Sequence, residues 1–207
     1  MKFNNYEYLR PNYEEYRTEF SKALQQLSEA TSIESATAAV SHLNKLRAQV
    51  ETAYNLATIR YSIDTNDTFY EEEDQFWNDY QPHFQGLDFE FYQTLLASPL
   101  LAALKEHFPA TLFLYAQSRI KTFHPDLIPL FQAENQLGSD YSNLVASAQI
   151  DFDGNIYTLS QITPLTQSVD EKVRRRATEK VVEFYATHAD EFETIYDSMI
   201  KTRRQIA

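Results

Sequence analysis

Between positions 64 and 74 the chain places Asp64, Asn66, Asp67, Glu71, Glu72, Glu73 and Asp74, seven acidic or amide side chains in eleven residues. Oxygen donors at this density are what a hard cation takes, and a helix–loop–helix calcium loop is the first chemistry to test. Such a loop needs oxygen ligands at positions 1, 3 and 5, glycine at 6 and glutamate at 12. Counted from Asp64, position 5 is Thr68, position 6 is Phe69 and position 12 is Gln75. Three of the five requirements fail. The better reading is a corner between two helices, with Thr68 and Glu71 as a capping box and three glutamates at the positive end of the helix dipole.

The other chemistry-bearing residues are scattered. His42, His83, His107, His124 and His188 include no H-E-x-x-H, the helical spacing that sets two imidazoles on one zinc. None comes three residues after a glutamate, so the di-iron pairing E-x-x-H is absent too. There is no G-x-S-x-G elbow, and three glycines in the whole chain cannot build a phosphate loop. The run KVRRRATEK at 172–180 is basic, but Glu171 and Glu179 flank it, which reads as a solvated helix face. No catalytic, cofactor-binding or metal-ligating constellation stands in these residues.

The elements around these residues are helical. Asn12 caps a first helix over about 12–29, with Glu15 completing a capping-box-like pair. Ser32 caps a second, where Ile33, Ala36, Val40, Leu43, Leu46, Val50, Ala53, Ala57 and Tyr61 run at helical spacing to residue 63 without a breaker. That helix would be about 46 Å long, against a radius of gyration of about 17 Å for a compact chain of this size. Pro82 should break or kink the next helical stretch, giving helices over 68–80 and 83–97. Ser98-Pro99 starts another over 99–107, and Pro109 one over 110–123. His124-Pro125 stops that one, and 126–147 is the next.

AQIDFDGNIYTL, 148–159, then alternates with period two and predicts a hairpin over 149–159. Centring its turn on Gly154-Asn155 sets Phe152 opposite Tyr157 and Ile150 opposite Leu159, four large apolar groups on one face. Centring it on Asp153-Gly154 pairs Phe152 with Asn155 and spoils that face, so the first register is expected. Helices over 169–187 and 189–206 close the sequence, and the last reaches Ala207 without a Gly, Pro or Asn stop, as expected of a chain that continues. The fold class is mainly α, an elongated multi-helix lobe with one hairpin, expected as one helical domain.

Composition bounds the rest. Hydrophobic residues make up 43% of 207, enough for a core, and the lack of cysteine excludes disulfides, thiolate metal sites and a thiol nucleophile. A net charge of −12 argues against nucleic acid and anionic membranes as partners. No apolar run approaches the ~20 residues of a membrane span, and the N-terminus lacks a signal-peptide core, so a cytoplasmic location is expected. The 14 Tyr and 14 Phe read as packing groups.

Four stretches, RPNYEEYRTEF (10–20), YNLATIRYSIDTNDTFYEEE (54–73), LFQAENQLGSDYSNLVASAQIDFDG (130–154) and VRRRATEKVVEFY (173–185), together resemble the N-terminal part of bacterial oligoendopeptidase F-type enzymes, zinc metallopeptidases related to thimet oligopeptidase. The resemblance implies a largely helical, two-lobed enzyme with a deep channel that admits short peptides. It also implies a zinc held by H-E-x-x-H and a further Glu, with ligands downstream of Ala207, so this segment would bind no zinc and be inactive alone. Its partners would be peptides and a C-terminal catalytic portion. The rival readings are a stand-alone helical protein-interaction module and, last, a cation-binding protein built on 64–74.

Overall fold

The computed structural model describes residues 3–207. Among these the chain is mainly α, with nine α-helices and one two-stranded hairpin. It divides into two compact units, Met1–Gln132 and Ala133–Ala207.

In the first unit α1 (Tyr13–Ser28) begins at Asn12, whose Oδ1 accepts from the backbone N–H of Glu14 and Glu15. Glu15 meets the cap through its side chain, accepting from Asn12 Nδ2 at 3.3 Å, which is a looser form of the expected box. The long helix α2 (Ile33–Ile63) has the expected bounds, and Ser32 and Ser35 form a full capping box at its start. Its buried residues recur at Ala36, Ala39, Val40, Leu43, Leu46, Ala53, Leu56, Ala57 and Tyr61, one stripe held for the whole length.

Pro82 does not end the next helix. α3 runs unbroken over Thr68–Ala97 with Pro82 buried inside it. An internal proline removes one backbone bond and costs about 3 kcal/mol. Here Trp77, Phe84, Leu87, Phe91, Tyr92 and Leu95 flank it, all on buried positions of the same helix. Continuing the helix keeps that apolar face against α1 and α2, and this burial outweighs one lost bond.

The cap of α3 also differs from expectation. Asp67, not Thr68, is the N-cap: its backbone is extended, with φ −72° and ψ 103°, and Thr68 is already the first helical residue. Its Oδ1 accepts from Phe69 N at 3.0 Å and Tyr70 N at 3.3 Å. A carboxylate one residue earlier meets the dipole as well as the orphan donors, so it outcompetes the threonine hydroxyl. Asp67→Ala is therefore expected to cost about 0.5–2 kcal/mol in chemical denaturation, with Thr68→Ala close to neutral.

α2 and α3 are antiparallel neighbours: Arg47 meets Asp88, Tyr54 meets Trp77 and Arg60 meets Tyr70. Short α4 (Leu101–His107) starts two residues later than expected, after a turn in which Leu100 N donates to Ser98 Oγ at 3.2 Å. α5 (Ala110–Thr122) then packs on α3. The core holds Phe20, Leu43, Phe91, Leu95 and Leu104, each 0% exposed. A 3-10 turn at Pro125–Leu127 leads into α6 (Ile128–Ala146).

The second unit contains the hairpin, and its register is the one that the apolar pattern disfavours. β1 (Ile150–Phe152) pairs with β2 (Asn155–Tyr157), with Ile150 opposite Tyr157 and Phe152 opposite Asn155. Asp153 and Gly154 form the turn with φ of 53° and 79°. Both central residues at positive φ make the hairpin turn that matches strand twist, and Asp-Gly is a favoured pair for it. Leu159, expected opposite Ile150, instead opens α7 (Leu159–Thr166), a helix absent from the sequence-based expectation. Thr158 and Gln161 form its capping box. The apolar face of the hairpin is completed by helices: Ile150 and Phe152 pack with Ile162, Ala177 and Phe184. The last three belong to α7 and α8 (Glu171–Thr187), and α9 (Ala189–Ile206) ends the chain.

Candidate functional site

The acidic corner disperses once folded. Asp64 Oδ1 accepts from Asn66 N at 3.0 Å, Asp67 caps α3, and Glu71 alone of the three glutamates lies in the first turn. Asp74 Oδ2 accepts from Asn78 Nδ2 at 3.1 Å. Glu73 points the other way and is 2% exposed. Its Oε1 takes Arg10 Nη2 at 2.7 Å and its Oε2 takes Arg10 Nε at 2.9 Å and the Tyr8 hydroxyl. Trp77 Nε1 donates to that same hydroxyl at 3.1 Å. Burial, then the bond to Glu73, pushes the Tyr8 phenol up. A buried carboxylate thus ties the N-terminal segment across α3.

The histidines sit on separate elements. His42 faces Glu19 at 3.3 Å, His83 lies among the Tyr13 and Tyr80 rings, and His107 Nδ1 is 3.1 Å from Ala103 O. His124 faces Asp126 at 3.3 Å, and His188 packs on Phe184. Among the described residues no three His, Asp or Glu side chains converge to hold a metal ion.

The basic run is spent on local partners: Arg174 Nη1 donates to Ser168 O, Arg175 pairs with Glu179 and Lys180 with Glu183. Arg176 departs from a merely solvated face. It grips Asp153 of the hairpin turn with two bonds of 2.6 and 2.9 Å and covers the Phe152 ring at 4.9 Å. Hydrogen bonding to Arg176 holds the Asp153 carboxyl below the ordinary aspartate range.

The feature that sequence reasoning missed is a cleft of about 260 Å³ in the first unit, between α2, α3 and α5. Trp77 and Phe84 form its floor, 2% and 6% exposed. At one end Arg47 binds Asp88 through Nε at 2.7 Å and Nη2 at 3.3 Å, donates to Asn44 Oδ1 at 3.0 Å and to the Tyr92 hydroxyl, and lies over the Phe91 and Tyr92 rings. Burial pushes the Asp88 carboxyl up, against the pull of Arg47. Four of the five guanidinium N–H donors are thus spent within the protein, so Arg47 acts as a support. Above it the walls carry Glu51, Asn55, Gln81, Gln85 and Arg119. The arrangement can bind and orient a polar ligand, and it presents no nucleophile beside a base.

A signal for the cleft exists in the sequence. Arg47, Glu51 and Asn55 recur every fourth residue within the apolar helix, and Gln81, Gln85 and Asp88 repeat at helical spacing on its partner. A polar row beside a core stripe marks a groove wall, and the stripe is the stronger of the two patterns.

Residues 3–123 match the family model described as the peptidase M3 N-terminal domain. Among solved structures, PZ peptidase A with an inhibitor superposes on the whole chain with a TM-score of 0.96 at 38% identity, and the chain covers 37% of that protein. A protein assigned as oligoendopeptidase F from Bacillus anthracis str. Ames gives 0.97 at 37% identity over the whole chain and 38% of its own length. A further structure assigned as oligoendopeptidase F gives 0.96 at 36% identity over the whole chain and 37% of its own length. The chain therefore spans well under half the length of these relatives. No curated protein matches it significantly.

Proposed function

This chain belongs to the peptidase M3 family, and on that footing we propose that it is the N-terminal, non-catalytic portion of a zinc-dependent oligoendopeptidase that hydrolyses short peptides inside a channel in the cytoplasm. The observation that carries the reading is similarity over the full 207 residues to proteins of more than twice the length, each named a peptidase or assigned as an oligoendopeptidase. The described residues offer no ligand set that fits a zinc ion. Zinc would be held by residues beyond this segment.

The role left to these residues is mechanical and recognitional. Two antiparallel helices of 31 and 30 residues form a stiff wall, pinned midway along α2 by Arg47–Asp88 and near its C-terminal end by Arg60–Tyr70. A wall of this kind can hold a peptide beside chemistry supplied elsewhere.

The test compares two proteins on a quenched fluorescent peptide. The gene product extended to the length of the relatives should cleave it and lose activity to a chelator, while residues 1–207 alone should not. Cleavage by 1–207, or an extended product that leaves the peptide intact, would sink the proposal. A reading frame that stops after Ala207 would favour the interaction module instead.

A further inference from the structure

Polar side chains that lack a protein partner and stay accessible to solvent are left to water or to a ligand. Among the described residues the side chains of Asn55, Gln81, Gln85 and Arg119 make no hydrogen bond to the protein, and all four line the cleft floored by Trp77. The Arg119 guanidinium is oriented by the Tyr115 ring, 5.7 Å away. Arg47 cannot serve in its place, since Asp88, Asn44 and Tyr92 occupy its donors.

We propose that this cleft is a peptide-terminus site, in which Arg119 takes the C-terminal carboxylate and the amides of Gln81, Gln85 and Asn55 pair with the adjacent backbone. The choice of ligand class rests on the peptidase reading above; the choice of chemistry rests on the cleft. A planar guanidinium matches a carboxylate with two parallel bonds. Each side-chain amide offers a donor and an acceptor, which suits the N–H and C=O of a peptide bond. A phosphate has acceptors only and would leave the amide oxygens unmatched. It would also bring a double charge toward Glu51. The cleft is smaller than the roughly 300–1,000 Å³ of closed small-molecule pockets, which fits the end of a chain better than a whole enclosed ligand.

Trp77 is the only tryptophan in the sequence and lies in the floor, so its emission reports occupancy directly. The experiment titrates the 207-residue chain with tetra-alanine bearing a free carboxylate and with the same peptide amidated at its C-terminus. The free acid should shift the emission saturably and bind about tenfold more tightly than the amide, as a charge-assisted pair implies. Arg119→Gln should abolish that preference, and Arg119→Lys should retain part of it. The double variant Gln81→Ala/Gln85→Ala should weaken both peptides alike and leave the preference in place. Far-UV circular dichroism confirms that each variant is as helical as the parent. No saturable change with either peptide, or an undiminished preference in Arg119→Gln, overturns the site. The readout needs no hydrolysis. An extended gene product that fails to cleave peptides while this chain still binds them would count against the peptidase reading alone, and cleavage without binding here against the cleft alone.

Discussion

Phe91→Ala should lower the stability of the first unit by about 3–5 kcal/mol. Phe91 is 0% exposed and lies in the core shared by α1, α2, α3, α4 and α5. Removing the ring opens a cavity that two long helices, held in register at Arg47–Asp88 and Tyr54–Trp77, cannot collapse to fill. It also strips Arg47 of one of the two rings beneath its guanidinium, the one 5.1 Å from it. Urea unfolding monitored by tryptophan emission reads this unit selectively, because Trp77 is the sole tryptophan. The midpoint should fall with the slope unchanged. Leu114→Ala, at a position 65% exposed, should stay within about 0.5 kcal/mol. A midpoint for Phe91→Ala equal to that of Leu114→Ala would refute the packing account.

The second large effect is expected at Glu73. Removing one member of a buried ion pair leaves its partner's charge and donors unmatched, a loss of about 3–5 kcal/mol when both are fully buried. The Arg10 side chain is 44% exposed and can turn to water, so Glu73→Ala should cost nearer about 2–3 kcal/mol. Glu73→Gln keeps the shape and one acceptor and should cost less. The loss has a local signature too. With its anchor gone, the segment that carries Tyr8 and Arg10 should leave α3, and chymotrypsin should cut between Tyr8 and Leu9 much faster than in the parent. An unchanged cutting rate in Glu73→Ala would show that the segment is held by other contacts.

Local signals were legible in the sequence, and signals that depend on distant packing were not. The long helix was readable to the residue because its cap is local and its apolar stripe is never interrupted. The family was readable from four stretches and is shown by the match of the N-terminal domain model. Pro82 misleads because propensity is a local quantity and the burial that overrides it is not. The hairpin register misleads for a related reason. The strand pattern alone does not complete the apolar face; α7 and α8 supply the rest. Glu73 is hidden among three adjacent glutamates, yet it stands four residues before Trp77 and so shares its inward face. Knowing that the helix starts after Asp67 would have separated it from Glu71 and Glu72. The polar row of the cleft lies beside the apolar stripe, which is the stronger pattern and masks it.

The turn that carries Asp153 and Gly154 has a bearing on how the protein ages. Asp-Gly is a dipeptide prone to cyclise, the glycine nitrogen attacking the aspartate carboxyl and reopening as isoaspartate. Here that nitrogen donates to Asp151 Oδ1 at 3.1 Å, and both Asp153 oxygens are gripped by Arg176. Nucleophile and electrophile are each turned toward another partner, so the arginine that fastens the turn to its helix should also slow the covalent clock of the chain during storage.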